Sequence, residues 1–478
     1  MALAVARIPK RNPVPTPTNT STTEPQPIRR VPVFIIIACA LMMMSIDATI
    51  VATALHALQQ DFGAPINWTS WTITAYWFGY VVMLPITGRL SERFGHRRVF
   101  LLSSLAFALT SLCCGLAQNI YVLVLFRALQ AAGGAGLTPA ATGIIVTHFG
   151  RARDRALGLF GAVFPVGAMI GPIFGGLFVT FWSWRDVFFV NVPLGICAAF
   201  LGLWLIPRDR TRDRGTAGLD VAGMAWLALA VIAGMLAVGY LGNKDARWLS
   251  PLFLAPAALS GASGWAFLRH IQHAAEPFIT PGLIYGRGFG ATNFLNAIYG
   301  GVATGAVTLV PLYASTRYGL DALDSGTLLI AQGIAAIAFS ALAALILRQT
   351  GYRLPFYLGG VLAAAGLALL APAPRFGWSA YTWLAAATFL IGAGAGFMSP
   401  ASRNAGLQLV PERASTMAAL RATAQEAGVI VALAVATSLM TNAEHPSLML
   451  AAVYATSALL CIGVLPVVAR VPEHRGAW

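Results

Sequence analysis

Apolar segments long enough to cross a lipid bilayer recur along almost the whole chain. A membrane-spanning helix needs about 20 mostly apolar residues, and we count about fourteen such segments. The predicted spans are 32–54, 70–88, 99–118, 121–147, 156–180, 187–206, 217–240, 249–268, 289–313, 325–347, 354–373, 379–402, 415–440 and 448–469. The sequence therefore predicts an all-α integral membrane protein.

The overall composition supports a membrane environment. Hydrophobic residues make up 58% of the 478 positions, charged residues only 10%, and the mean hydropathy is +0.72. A soluble domain carries about 25% charged residues, because it must cover its surface with groups that water solvates. This chain is expected to be surrounded by lipid over most of its length.

The positive charge of the chain is concentrated in short connectors between the spans. A formal net charge of +14 could indicate a nucleic-acid partner, but arginine clusters between apolar segments are typical of the cytoplasmic loops of membrane proteins. An even number of spans then places both termini in the cytoplasm, and we expect a multi-pass protein of the bacterial cytoplasmic membrane with no nucleic-acid partner. The clusters are Arg89/Arg93/Arg97/Arg98, Arg151/Arg153/Arg155 and Arg208/Arg210/Arg212/Arg214.

A weak internal repeat indicates a duplicated architecture. The connector 88–97 after span two is partly repeated by the connector 348–353 after span ten. Repeated halves are common in secondary transporters. We predict two six-helix bundles with two additional central helices. The expected segments are a disordered cytoplasmic tail at 1–30, an amino-terminal bundle at 31–206, an inserted helix pair at 207–270, a carboxyl-terminal bundle at 271–470 and a cytoplasmic tail at 471–478.

The sequence lacks the motifs of enzymes and ATP-driven pumps. It contains no G-x-x-x-x-G-K-[ST] phosphate loop, no H-E-x-x-H zinc motif and no long soluble connector that could form a nucleotide-binding domain. The five cysteines lie in apolar stretches without metal-ligand spacing. We expect no enzymatic activity, no metal and no cofactor, so an ion gradient is the remaining source of energy.

Two acidic residues lie well inside predicted spans. Asp47 occupies the middle of span one and Glu426 lies in span thirteen. A charged side chain at the bilayer centre costs about 2.5–3.5 kcal/mol on insertion scales, which makes such residues functional candidates. Arg127 lies in span four and needs either a partner or a path to the membrane interface.

The connector after span two has the composition of a tight turn between helices. Gly88 permits close helix approach, Gly95 can adopt a positive φ, and Glu92 can pair with an arginine or with a helix N-terminus. The alternative is that its charges only set orientation. The predicted gating residues are Gly88, Glu92, Arg93, Gly95, Arg97 and Arg98.

Span five carries glycines at every fourth position. Gly167, Gly171 and Gly175 share one face and form a groove for a neighbouring helix, while Pro172 removes a backbone hydrogen bond. Together with Gly176, this helix is expected to provide a rocking contact between the two halves. The same pattern is also common in lipid-embedded helices that only pack.

These segments together resemble a known family. They are Ile46-Asp47-Ala48-Thr49-Ile50-Val51, Trp71 and Tyr76, the 88–98 connector, Arg127-x-x-Gln130, Gly167-x-x-x-Gly171-Pro172-x-x-Gly175-Gly176 and Trp184-Arg185-x-x-Phe188. They are similar to the major facilitator superfamily, and within it to the fourteen-span drug:proton antiporters. In that family the Gly-Pro motif marks antiporters rather than symporters.

The resemblance implies export of small amphipathic or cationic drugs in exchange for protons. We expect Asp47 to carry the proton, Arg127 to modulate it, and Glu426 to be a second titrating site or a counter-charge for a cation. The alternatives are a purely structural hydrogen bond for Asp47, an outward-reaching side chain for Arg127 and a simple pair with Arg421 for Glu426. The predicted pocket residues are Tyr76, Gln130, Asn293, Asn296 and Gln332.

Other functions and partners remain open at this point. A dedicated exporter of one endogenous metabolite, such as a siderophore or an antibiotic, fits the same sequence, and so does a membrane sensor that has lost transport. The expected partners are the small-molecule substrate, protons and the lipid bilayer. We expect a monomer, and the short outer loops leave a periplasmic adaptor protein undecided.

Overall fold

The computed structural model describes most of the chain as helices. The described residues are 30–64, 66–209, 220–241, 246–247, 249–286, 288–407, 409–441, 443 and 445–476, and they contain no β-strand. The predicted amino-terminal tail up to residue 29, the connector 210–219 with its three arginines, and residues 477–478 of the predicted carboxyl-terminal tail lie outside these ranges.

Eight helices form what we call the first half. Span four divides at Gly136 into α4 and α5, and span six is preceded by the single turn α7. The helices are α1 (Arg30–Phe62), α2 (Ile66–Phe94), α3 (His96–Gly115), α4 (Ile120–Gly134), α5 (Leu137–His148), α6 (Arg153–Phe181), α7 (Asp186–Phe189) and α8 (Asn191–Leu205).

A helix pair and a short helix follow, and then the second half, which we define as α12–α19. Its first span begins as α12, continues through one π-helical segment (Asn296–Val302) and ends as α13 and α14. The helices are α9 (Val221–Tyr240), α10 (Pro251–His273), α11 (Pro281–Tyr285), α12 (Phe289–Leu295), α13 (Ala303–Thr308), α14 (Val310–Tyr318), α15 (Ala322–Thr350), α16 (Arg353–Leu370), α17 (Ala380–Asn404), α18 (Ala414–Thr441) and α19 (Pro446–Gly463).

Each predicted span coincides with one of these helices or with a broken helix. Thirteen helical stretches in the described residues are long and apolar enough to cross a membrane. The span predicted at 70–88 lies in α2, which is not among the thirteen. Its hydroxyl and aromatic residues, such as Thr72, Tyr76 and Tyr80, lower its hydropathy. These three side chains are buried within the protein, so α2 can cross without exposing them to lipid.

Each half has its own main hydrophobic core, and the first-half core extends across the contact between the halves to Leu407, Ala414 and Ala422. In the first half α1 packs along α6, α2 along α4, and α3 along α8, whereas in the second half α17 packs between α15 and α16. The second-half core contains Tyr299, Tyr313 and Tyr454, whose rings are buried. The halves meet where α18 packs on α2 and α5 and where α6 packs on α15 and α17.

The helix pair α9–α10 lies beside the seam between the halves. The two helices pack on each other, and α9 also contacts α2 and α18. Asp220 caps α9 and accepts hydrogen bonds from Gly223 N at 2.9 Å, Phe278 N at 3.0 Å and His270 Nε2 at 2.7 Å. Burial alone would raise the pKa of Asp220, but these donors lower it below its usual value. The cap thus ties α9 to the end of α10 and to the segment before α11.

One end of the molecule carries most of the connectors rich in arginine, and we call it the arginine-rich end. It includes the turn 94–96, the turn 149–152, the turn 351–352 and the segment before α18. Hydrogen bonds join the halves here, including Arg348 Nε to Asp154 Oδ2 at 3.2 Å and Ser415 Oγ to the Pro139 carbonyl oxygen at 2.8 Å. In this structure the halves are therefore closed against each other at that end.

Candidate functional site

The Asp47 carboxylate lies at the centre of a polar network inside the first half. Both Asp47 and Arg127 have 0% side-chain exposure, and Arg127 Nη1 donates to Asp47 Oδ2 at 2.7 Å. The other carboxylate oxygen, Oδ1, accepts hydrogen bonds from Asn191 Nδ2 at 2.7 Å and Gln130 Nε2 at 3.0 Å. Three helices, α1, α4 and α8, thus meet at a single carboxylate.

The Arg127 guanidinium is held on several sides. Its Nε donates to the Thr72 carbonyl oxygen at 3.2 Å, and Nη1 also donates to Gln130 Oε1 at 2.7 Å. Its central carbon lies 4.2 Å from the centre of the Tyr76 ring and 5.6 Å from that of Phe188, which are cation–π distances. The alternative in which Arg127 reaches out to the interface is therefore wrong.

Three further residues, Asn191, Ser111 and Thr72, complete the network, and none of them was predicted from the sequence. Asn191 also donates to Ser111 Oγ at 3.1 Å, and Ser111 Oγ in turn donates to the Phe188 carbonyl oxygen at 2.9 Å. An asparagine at the start of an apolar span is the signal that could have identified Asn191. Thr72 contributes only its backbone oxygen, which no side-chain pattern can reveal.

The charges of Asp47 and Arg127 neutralise each other, so the network is sensitive to the loss of either residue. A buried ion pair adds little net stability, but removing one partner strands the other charge and typically costs about 3–5 kcal/mol. Asp47 has no exposed surface, so in this state neither water nor lipid touches it.

The acidic residue of the 88–98 connector bridges the halves at the arginine-rich end. Glu92 Oε1 accepts a hydrogen bond from Thr416 N at 2.9 Å, in the first turn of α18, and Glu92 lies 3.7 Å from Arg89. Both partners expected for this acid, an arginine and a helix N-terminus, are present. A Cβ at Gly88 would lie 2.7 Å from Ala419 Cβ, so the glycine does permit the close approach of α18.

The remaining connector residues hold the turn itself. Gly95 has φ +101°, a conformation that favours glycine. The backbone N–H of Arg97 donates to Asp209 Oδ2 at 3.1 Å, and its guanidinium donates to the Leu203 carbonyl oxygen at the end of α8. Arg93 lies over the Phe94 ring at 5.7 Å, and Arg98 is exposed. These contacts keep the turn at the end of α2 in place.

The glycine groove of α6 receives α1. Cβ atoms at Gly167, Gly171 and Gly175 would come within 3.1 Å of backbone oxygens of α1, so the two helices are in van der Waals contact along two turns. The sequence predicted that this helix provides a contact between the two halves, and α6 does pack on α15 and α17 of the second half. Its glycine face, however, packs on α1 of the same half. Pro172 lies within the continuous helix α6, and Gly176 faces open space.

We predict a clear difference between two glycines of this helix. Gly171→Ala should lower the free energy of unfolding by about 1–3 kcal/mol, because overpacking a tight contact costs that much. The new methyl group would overlap Thr49 Oγ1 and lie 2.9 Å from the Ile46 carbonyl oxygen. Gly176→Ala is the matched control, since no atom lies within 4 Å. Chemical denaturation in micelles measures both, and equal stabilities would contradict the tight α1–α6 contact.

Sequence comparison identifies the family. The profile described as Major Facilitator Superfamily matches residues 35–433. The chain belongs to the major facilitator superfamily. The fold agrees with this assignment, because two solved transporter structures align over nearly the whole chain. They are the human organic anion transporter MFSD10 (TM-score 0.64, 15% identity, 91% of this chain and 99% of that chain) and the proton:xylose symporter XylE (TM-score 0.64, 12% identity, 94% and 97%).

Several curated relatives of this superfamily member carry names that refer to drug resistance. The multidrug transporter protein MdtP of Bacillus subtilis is 31% identical over 69% of this chain and 61% of its own length. The tetracenomycin C resistance and export protein of Streptomyces glaucescens is 31% identical over 70% and 62%. The puromycin resistance protein Pur8 of Streptomyces alboniger is 32% identical over 86% and 81%. The match thus spans about three fifths of the first two relatives.

The second acid of this superfamily member lies apart from the Asp47 network. Glu426 is half-buried on α18, and it forms no ion pair among the described residues. Arg421 on the same helix makes a long hydrogen bond of 3.5 Å to Gln425 Oε1 instead. No salt bridge joins Glu426 and Arg421 in this state, although the two charges lie close enough to attract each other.

The structure does not bring the five predicted pocket residues together. Tyr76 lies under Arg127, and Gln130 belongs to the buried network. Asn296 is buried, accepts a 2.5 Å hydrogen bond from Ser402 Oγ and donates to the Thr292 carbonyl oxygen. Asn293 lines a cavity between the halves, and Gln332 is half-buried on α15.

Proposed function

We propose that this superfamily member exports small amphipathic compounds across the bacterial cytoplasmic membrane in exchange for protons, by alternating access. The observation that supports this most is the fully buried Asp47–Arg127 pair inside a membrane bundle. An intramembrane ion pair is costly, and in membrane proteins such pairs commonly mark ion or proton pathways. The drug and antibiotic resistance relatives support a drug-like substrate.

The arginine-rich end is proposed to face the cytoplasm. The excess of arginine in its connectors supports this orientation, with both termini on the same side. In the described state, the Glu92–Thr416 and Arg348–Asp154 contacts close this end. The state is then one in which substrate cannot enter from the cytoplasm, and these contacts must break for loading.

The proton step begins with the charge balance around Asp47. Protonation of the carboxylate would remove the negative partner of Arg127 and leave the guanidinium with only neutral acceptors. The cost of that buried charge favours a rearrangement between α1 and α4. Water must also enter the network in another state of the cycle, because the carboxylate is sealed in this one.

The route from this network to the second half runs through α6. Helix α1 carries Asp47 and is packed along the glycine groove of α6, with no space for independent sliding. Helix α6 in turn contacts α15 and α17, where Ser340 Oγ donates to the Gly158 carbonyl oxygen at 3.3 Å. A shift of α1 is therefore transmitted to the seam. Glu426, on α18 at the other side of the seam, is proposed as a second titrating site.

A second candidate function is the export of one dedicated metabolite. The relatives named for tetracenomycin C and puromycin resistance favour it, because each name refers to a single antibiotic. Both candidates use the same proton-driven cycle and differ in the breadth of the substrate range. A compound that accumulates in cells only when the gene is deleted would support the dedicated exporter.

Proteoliposomes test the proposed function. The purified chain is reconstituted, a pH gradient is imposed, and substrate flux and proton flux are followed against a panel of amphipathic compounds. We expect at least one compound to move against its gradient while protons move the opposite way. An uncoupler, which collapses the pH gradient, should abolish the uphill flux of that compound. Substrate flux that is unaffected by the uncoupler, or a complete absence of flux in a folded protein, would contradict the proposal.

A further inference from the structure

Two arginines face one cavity between the halves, close to the arginine-rich end. The cavity is bounded by α5, α11, α12, α17 and α18, and Arg403 and Arg421 both line it. Arg403 lies in the last turn of α17 and Arg421 lies two turns into α18. Both side chains are half-buried, so their guanidinium groups are accessible from the cavity but largely removed from bulk solvent.

Neither guanidinium forms a salt bridge with an acidic residue among the described residues. The ion pairs found among the described residues involve other arginines and one histidine, and the cavity lining contains no aspartate or glutamate. The nearest acid on the same helix, Glu426, attracts Arg421 without forming a salt bridge and offsets only one of the two charges. Two positive charges therefore share one cavity in a membrane-embedded region, and this is costly unless an anion is bound.

The two guanidinium groups have only weak hydrogen-bond partners within the protein. Arg403 Nε makes a long hydrogen bond of 3.4 Å to Ser399 Oγ, and its guanidinium lies 5.0 Å from the centre of the Phe160 ring on α6. Arg421 has the 3.5 Å contact with Gln425. Since each guanidinium has five N–H donors, most donors on both side chains remain available to a ligand.

A purely structural role explains one of the two arginines but not the other. The free carbonyl groups at the end of α17 favour a cation at Arg403, because the C-terminus of a helix is its negative end. Arg421 lies two turns into α18, beyond the turn in which a helix terminus acts, so no helix end stabilises its charge. Its placement beside a second arginine therefore calls for a different explanation.

We propose that this cavity binds an anionic group, a carboxylate or a phosphate, of the exported compound. Arg403 and Arg421 would hold that group by charge-assisted hydrogen bonds, and the Asn293 amide is close enough to the lining to add a donor. The cavity has a volume of about 20 Å³ in this closed state, so the compound can enter it only when the arginine-rich end opens. Apolar side chains such as Phe289 and Met417 line the same cavity and suit the lipophilic part of the compound in that open state. The inference rests on the proposed function for its role in transport.

The proposal changes the substrate class expected from the sequence. A cationic drug would meet two like charges in this cavity, whereas a lipophilic acid or a zwitterion would find complementary ones. The Phe160 contact also places Arg403 between α6 and α17, that is, across the seam. Binding of an anion at Arg403 therefore engages both halves at once.

Binding of a matched pair of probes tests the proposal without any proton gradient. Rhodamine B carries a carboxylate, and its methyl ester has the same ring system without that charge. We expect the purified full chain in micelles to bind the acid about tenfold more tightly than the ester, which corresponds to about 1.4 kcal/mol, close to one charge-assisted hydrogen bond. Fluorescence polarisation measures both dissociation constants.

The variants assign the preference to the two arginines. Arg403→Ala and Arg421→Ala should each reduce the acid preference to nearly one, while Arg421→Lys should retain part of it. Arg375→Ala is the control, because Arg375 is exposed and lies far along the chain from the cavity lining. Size-exclusion profiles confirm that the variants are folded. Equal binding of acid and ester by the unmodified chain, or an acid preference that survives both alanine variants, would overturn the proposal.

Two further competition experiments distinguish whether the bound anionic group belongs to a substrate or to a lipid. Inorganic phosphate and phosphatidylglycerol are added separately as competitors of the bound acid. Weak competition by phosphate supports a substrate site, whereas displacement by phosphatidylglycerol at low concentration would reassign the cavity to a lipid headgroup. These binding assays need no transport. A negative proteoliposome experiment would therefore not contradict the anion site, and a negative binding experiment would not contradict proton-driven export.

Discussion

Asp47→Asn should reduce proton-driven exchange in proteoliposomes to the level of empty liposomes. The amide cannot take up and release a proton in the physiological range, yet its oxygen can still accept the hydrogen bond from Arg127. We therefore expect the folded protein to bind substrate with a dissociation constant within about threefold of the original, a change below 1 kcal/mol. Parallel measurement of flux and of binding separates coupling from recognition.

The same helix supplies a matched control. Asp61 is also an aspartate of α1 that pairs with an arginine, Arg185, at 2.8 Å, but its side chain is 44% exposed. Asp61→Asn should leave both flux and binding nearly unchanged, since exposed ion pairs contribute about 0–1 kcal/mol. Undiminished exchange in Asp47→Asn would remove Asp47 from the coupling mechanism, and equal losses in both variants would point to a general defect of α1.

Arg127→Met should cause the largest loss of stability among single changes in this network. Methionine has a similar length but leaves the Asp47 carboxylate buried without a counter-charge. Stranding one partner of a buried pair costs about 3–5 kcal/mol, a large part of the stability of a typical protein. Chemical denaturation in mixed micelles measures the loss.

A double variant distinguishes charge imbalance from lost packing. Asp47→Asn in the Arg127→Met background removes the stranded charge, so the double variant should recover about half of the lost stability. If the loss came only from the packing of Arg127 on Tyr76, the second change would recover nothing. Arg185→Met is the control, because Arg185 is 35% exposed and its loss should cost less than about 1 kcal/mol.

The helical spans could be predicted from the sequence because they depend on local properties. Length, hydropathy and the spacing of arginine-rich connectors reveal a membrane helix without knowledge of its neighbours. Span two shows where that reasoning weakens. Its polar residues reduce the hydropathy of α2, and only burial of Tyr76 and Tyr80 against other helices explains why the segment can cross.

The candidate site was predicted in part. Asp47, Arg127 and Glu92 stand out because a charge inside or beside an apolar span is costly and therefore rare. Their partners could not be predicted, since Asn191 lies 144 positions from Asp47, and Thr416 lies 324 positions from Glu92. No local pattern relates residues that far apart. The partner of the α6 glycine groove was missed for the same reason.

The sequence alone determined that this chain is a bundle of membrane helices, to which family it belongs, and which charges it carries into the membrane. Only the tertiary structure decided which of those charges neutralise one another. Asp47 and Arg127 do so within the first half, whereas Arg403 and Arg421 meet in a cavity without an acid. The physical reason is that hydropathy is a property of each segment, but the cost of a buried charge depends on which helices fold against it.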